Sequence, residues 1–139
     1  MAIKAWVKSQ KDFPISDAPK GISYKTVSSG SNLGHRVEVD YVRVPKLKGI
    51  PMHAHKHAET LCVVIAGRGR VEVNGEGYSV RTGDVINIPK GVYHEFRAGD
   101  NRFAFISIQS PPIRNDYLFR PKPKTVKNRR AARVGRVTS

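Results

Sequence analysis

Residues 52–61 read MHAHKHAETL, placing His53, His55 and His57 at every second position, with Glu59 continuing the alternation. In an extended strand, side chains two apart share a face and sit about 6.6 Å from each other. His53 and His55 therefore point the same way, and two such imidazoles can converge on one ion at roughly 2.0–2.1 Å per bond. Glu59 keeps that parity and offers an oxygen donor. The competing reading is a polar strand edge facing solvent. A metal site needs a further ligand from a sequence-distant strand, and His94 is the histidine placed to supply it. It follows Pro89-Lys90-Gly91 and opens a predicted strand running back past the first pair. His35, beside Gly34 in a loop, stays outside this set.

The elements that must position these side chains are strands. RVEVDYVRV at 36–44 alternates apolar and polar residues and is rich in valine. LCVVIA at 61–66 is a short apolar run suited to burial on both faces. RVEV at 70–73 leads into Asn74-Gly75, the strongest short-range hairpin signal, because both turn positions need positive φ. GYSV, VINI, HEFRA and RFAFISI follow at intervals of eight to twelve residues, and no helical period interrupts them. The pattern predicts an all-β sandwich or barrel. A short strand is expected earlier, around Ile22–Val27, and Ser110-Pro111-Pro112 is read as the close of the regular part.

At these residues the sequence resembles the cupin superfamily. GIPMHAHKHAET is similar to the first cupin motif, His-x-His-x3-Glu, at His53, His55 and Glu59; GDVINIPKGVYH is similar to the second, at Gly83, Pro89, Gly91 and His94. The resemblance covers roughly residues 36–110. It implies a small jelly-roll barrel, a double-stranded β-helix, holding one divalent transition metal ion on His53, His55, Glu59 and His94. The same resemblance places His57 in the loop or behind the ligands. Tyr41, Phe96 and Phe105 share parity with the expected inner face and are candidate pocket residues. Three places depart from the motifs. Leu47 stands where a glycine is expected, with Gly49 two places on, and Ala98 stands where the second motif ends in asparagine. The gap from Glu59 to Gly67 is one residue longer than usual, which points to a bulge.

A chain of 139 residues fits one domain with a modest core. We expect an N-terminal arm over 1–35, the barrel over 36–119, and a basic, disordered tail over 120–139. Of the net charge of +14, eight positive charges come from Arg120, Lys122, Lys124, Lys127, Arg129, Arg130, Arg133 and Arg136, with no acid after Asp116. Such a segment buries too little apolar surface to offset its ordering entropy. One cysteine excludes an internal disulfide. The N-terminus does not read as a signal peptide, and no run is long enough to span a bilayer, so a cytoplasmic protein is expected.

Nitrogen and oxygen donors without thiolate suit Fe, Mn, Ni, Co, Cu or Zn. The first functional expectation is a metal-dependent enzyme on a small polar or anionic metabolite, with dioxygenase-type oxidation ahead of isomerase, decarboxylase or lyase chemistry. The second is a non-catalytic ligand-binding or sensor barrel whose tail at 120–139 contacts nucleic acid or another polyanion. The resemblance also implies a homodimer.

Overall fold

Strand follows strand along the chain: β1 (Ser16–Ala18), β2 (Ile22–Thr26), β3 (Glu38–Val44), β4 (Gly49–His55), β5 (Glu59–Val73), β6 (Glu76–Arg81) and β7 (Val85–Ile88). β8 (His94–Arg97), β9 (Phe103–Ser110), β10 (Tyr117–Phe119) and β11 (Ala132–Arg133) complete the set. The computed structural model describes residues 4–112, 116–119 and 132–133. The expectation of disorder over 120–139 therefore lies, Ala132–Arg133 aside, outside the described residues. No helix among the described residues is long and apolar enough to cross a membrane.

One strand makes the curl. β5 runs for 15 residues, and its first half pairs with β9 and β7 while its second half pairs with β6 and β8. The switch falls at a register shift between Val64 and Ala66, the bulge that the long Glu59–Gly67 gap predicted. Gly67 follows at φ 72°, and a side chain there would collide with the Arg102 carbonyl. Only glycine allows that close approach of backbone to backbone. The bend yields two walls. One holds β2, β3, β9, β7 and the first half of β5; the other holds β10, β4, β8, β6, β11 and the second half. All pairings are antiparallel except β11 on β6. Asn74-Gly75 turns β5 into β6 with φ 52° and 82°, as the hairpin signal required.

Between the walls lie Val42, Val44, Val64, Val71, Ile86, Ile88, Phe96, Phe103 and Phe105, all buried. Phe96 from one wall stacks on Phe105 from the other, with centroids 4.4 Å apart and planes 20° from parallel. This contact joins the walls directly beneath the histidines.

Two expectations about faces change. The run LCVVIA is buried on one face only: Cys62 and Val64 point inward, whereas Leu61 and Ile65 are exposed. On β9, Ile108 opposite Leu61 and Ile106 opposite Val63 are half-buried, so this wall has an apolar exterior. The close at Ser110-Pro111-Pro112 is followed by a further strand, as β10 returns to pair with β4. Leu47 takes the left-handed region with φ 62°, at the place where the resemblance expects glycine.

Candidate metal site

β4 and β8 run antiparallel with His53 directly opposite His94, and His55 lies two residues along the same face. Ligand nitrogens of His53, His55 and His94 all lie within 4.8 Å of one another, and all three residues are buried. Ring centroids are 4.2 Å apart for His53–His94, 5.1 Å for His53–His55 and 5.4 Å for His55–His94.

Backbone carbonyls orient each ring. His53 Nδ1 lies 2.7 Å from the Pro51 oxygen, His55 Nδ1 3.1 Å from the Asp116 oxygen, and His94 Nδ1 3.0 Å from the Val92 oxygen. A carbonyl can only accept, so each Nδ1 carries the proton and each Nε2 keeps its lone pair. Burial holds the rings in that neutral form. Desolvation lowers His53 to about 4 against the raising pull of the Pro51 carbonyl. It lowers His94 to about 3, aided by the neighbouring His53, and it lowers His55 as well. Three neutral imidazoles, each fixed from behind and presenting Nε2 to a shared space, fit a divalent ion.

Glu59 is not brought to this group. It opens β5 exposed, opposite Ser110, while Thr60 behind it is buried and faces the cavity. The physical reason is parity: the bulge at Ile65 supplies the extra residue in the gap, so the inward set before it is Thr60, Cys62 and Val64. Thr60 Oγ1 is the buried side-chain oxygen left without a partner among the described residues. An unmet buried hydroxyl costs roughly 1–3 kcal/mol, which marks its position as one where a polar group is wanted.

The wall facing the histidines is polar, in two inward rows. Glu38, Gln109 and Thr60 stand in register across β3, β9 and β5; Asp40, Ser107 and Cys62 form the row beneath. All six are buried. Asp40 Oδ1 accepts from Thr26 Oγ1 at 2.8 Å. The Cys62 thiol is pushed up to about 12 by burial, partly offset by a hydrogen bond with Ser107, so it stays protonated. Phe96 and Phe105 line the cavity as expected, but Tyr41 does not. On β3 the inward residues are Glu38, Asp40, Val42 and Val44, which turns Tyr41 half-buried onto the outer face. Sequence parity followed the apolar residues of β3 and so missed that its acids point inward.

Asp116 and Tyr117 close the mouth. The Asp116 carboxylate accepts from the backbone N–H groups of Lys56, His57 and Ala58 at 2.9–3.1 Å, and its own carbonyl receives His55. Tyr117 lies 5.3 Å from both His53 and His55, and burial pushes its phenol pKa upward. His57 itself is exposed, held only through its backbone in this turn. The remaining cavity is about 40 Å³, room for about three water-sized groups.

Residues 40–108 match the Cupin domain family model. Quercetin 2,3-dioxygenase of Bacillus subtilis (strain 168) is 28% identical over 81 residues, which are 58% of this chain and 24% of that protein. The chain thus spans about a quarter of that relative's length. Among solved structures, a cupin-2 domain from Rhodospirillum rubrum superposes with TM-score 0.68 at 20% identity, covering 88% of this chain and 84% of that one. A double-stranded β-helix protein from Klebsiella pneumoniae gives TM-score 0.67 at 18% identity, covering 86% of this chain and all of that one. These likenesses show a shared fold.

Proposed function

Since the chain belongs to the cupin superfamily, we propose that it is a metal-dependent enzyme of dioxygenase type acting on a small polar or anionic metabolite. One observation carries this reading: three buried, neutral imidazoles converge with every Nδ1 committed to a carbonyl. In this reading His53, His55 and His94 hold one divalent transition metal ion, and Glu59 stays outside. When bound, the ion would act as a Lewis acid and bring O2 and substrate together. The 28% identity with a dioxygenase supports oxidation over the other cupin chemistries.

The chain's own residues do the rest. Three neutral donors leave the ion's charge to be offset from outside the ligand set, by Glu38 and Asp40 across the cavity or by an anionic substrate group. Glu38, Asp40, Gln109 and Thr60 offer carboxylate, amide and hydroxyl groups from the opposite wall to orient its polar atoms. Phe96 and Phe105 form an apolar floor, and Tyr117 excludes water from the mouth. A cavity of 40 Å³ admits only a few heavy atoms, so a larger substrate requires Tyr117 and its strand to move.

The working unit in this reading is a cytoplasmic homodimer. Exposed Leu61, Ile65 and Val85 form the apolar exterior that a second copy would cover, and mass in solution tests it. Activity is tested with Fe(II)-loaded protein and a panel of small hydroxy and keto acids in an oxygen electrode. Uptake with at least one acid, lost in His94→Ala, is expected; uptake equal in both proteins contradicts the reading.

A further inference from the structure

The outer face of the second half of β5 brings arginines opposite one another. Arg68 stands directly across from Arg81 on β6, and Arg70 directly across from Arg97 on β8. Opposed residues in antiparallel strands have Cβ atoms about 4.5–5.5 Å apart, and same-sign pairs there destabilise a sheet. Arg68 and Arg70 sit two residues apart on one face, about 6.6 Å along the strand. Four guanidinium groups therefore rise from one small patch, all on exposed residues. They line an open groove of about 840 Å³ with Ser79 and Asp100.

Opposing charge on this face is limited. Asp100 lines the groove, and Glu72 and Glu95 occupy the next outward row. Arg97 Nη2 approaches Glu95 Oε1 at 3.5 Å, with the arginine side chain 61% exposed. An exposed pair of that length contributes little. On the far side of β6, the backbone of β11 sets Arg133 in register with Ser79.

We propose that this groove seats the phosphate backbone of a nucleic acid, without sequence preference. Planar guanidinium forks bind phosphate oxygens bidentately, which lysine cannot do. Duplex DNA carries about one negative charge per 1.7 Å of axis, so several phosphates fall within reach of the four side chains. A phosphate lying between opposed arginines removes the repulsion that the free sheet bears. No aromatic side chain lines the groove among the described residues, which leaves the backbone, not the bases, as the element recognised. The proposal does not depend on the metal site.

The test uses the full chain and a mixed-sequence 20-base-pair duplex, followed by fluorescence anisotropy from 50 to 200 mM salt. Arg68→Gln/Arg70→Gln should weaken binding at least tenfold at 50 mM and reduce the log–log salt slope by about 2, near 0.9 per lost phosphate contact. Its melting temperature without DNA should stay level or rise, because a same-sign pair is gone from each strand pairing. Should that variant melt lower, Arg81→Gln/Arg97→Gln carries the same test from the flanking strands. The control Lys46→Gln/Lys90→Gln, off the groove, should change the slope by clearly less. An unchanged slope in the arginine variants, an equal loss in the lysine control, or equally tight binding of polyglutamate would each overturn the proposal.

Discussion

The two walls of the barrel mouth differ in how their polar groups are held. On the β4/β8 wall each histidine is tied from behind by a carbonyl and kept neutral by burial, and His53 stands in register with His94. The facing wall presents a mixed row of acid, amide and hydroxyl groups, one of which, Thr60 Oγ1, lacks a partner. The first arrangement presents three fixed donors that could hold an ion. The second is open to whatever polar ligand the ion brings with it. The difference suggests a division of labour, with one wall fixing the metal and the other choosing the substrate.

Several experiments would break or sharpen that division. The largest effect belongs to the histidine wall: His94→Ala should reduce metal occupancy to near zero by elemental analysis, since two imidazoles remain. Next comes the contact that joins the walls. Phe105→Ala removes a buried ring stacked on Phe96 and should cost about 3–5 kcal/mol in chemical denaturation, with a slackened site.

Acid should act on the histidine wall. His53 and His94 have folded values near 4 and 3, below the ordinary 6.5, so the unfolded chain takes up protons first as pH falls. Stability of the metal-free protein should hold above about pH 6.5 and decline from there towards 4, by at most about 1.4 kcal/mol per unit for one ring. Thermal melts across that range check it, and a melting temperature that rises on acidification would contradict it. The smallest effect concerns Thr60. Thr60→Val removes the unmet hydroxyl at constant shape and should stabilise the metal-free protein by about 1 kcal/mol, while weakening substrate binding.

The same division explains what the sequence disclosed. The convergence of His53, His55 and His94 was legible because they follow strand parity within β4 and a Pro-Gly turn before β8, both local features. The hairpin at Asn74-Gly75 and the bulge in β5 were readable for the same reason. The facing wall was not. Its inward face on β3 carries Glu38 and Asp40 ahead of Val42 and Val44, whereas Val39 and Tyr41, which resemble a core face, point out. Pattern reading assigns the apolar parity inward, and a functional cavity reverses that rule. Glu59 was misplaced by one residue because the bulge lies after it, at Ile65, where local spacing does not say which side absorbs the extra residue. β10 was hidden because three residues beyond a diproline leave no periodic signal, although Asp116 and Tyr117 complete the mouth.

The most direct measurement is a calorimetric titration of metal-free protein with Co(II), run in parallel on the unchanged chain, Glu59→Gln and His94→Ala. Three histidines closing on a single ion predict one site per chain, the same affinity in Glu59→Gln, and no binding in His94→Ala. A Glu59→Gln protein as impaired as His94→Ala, or full binding in His94→Ala, would contradict the three-histidine centre.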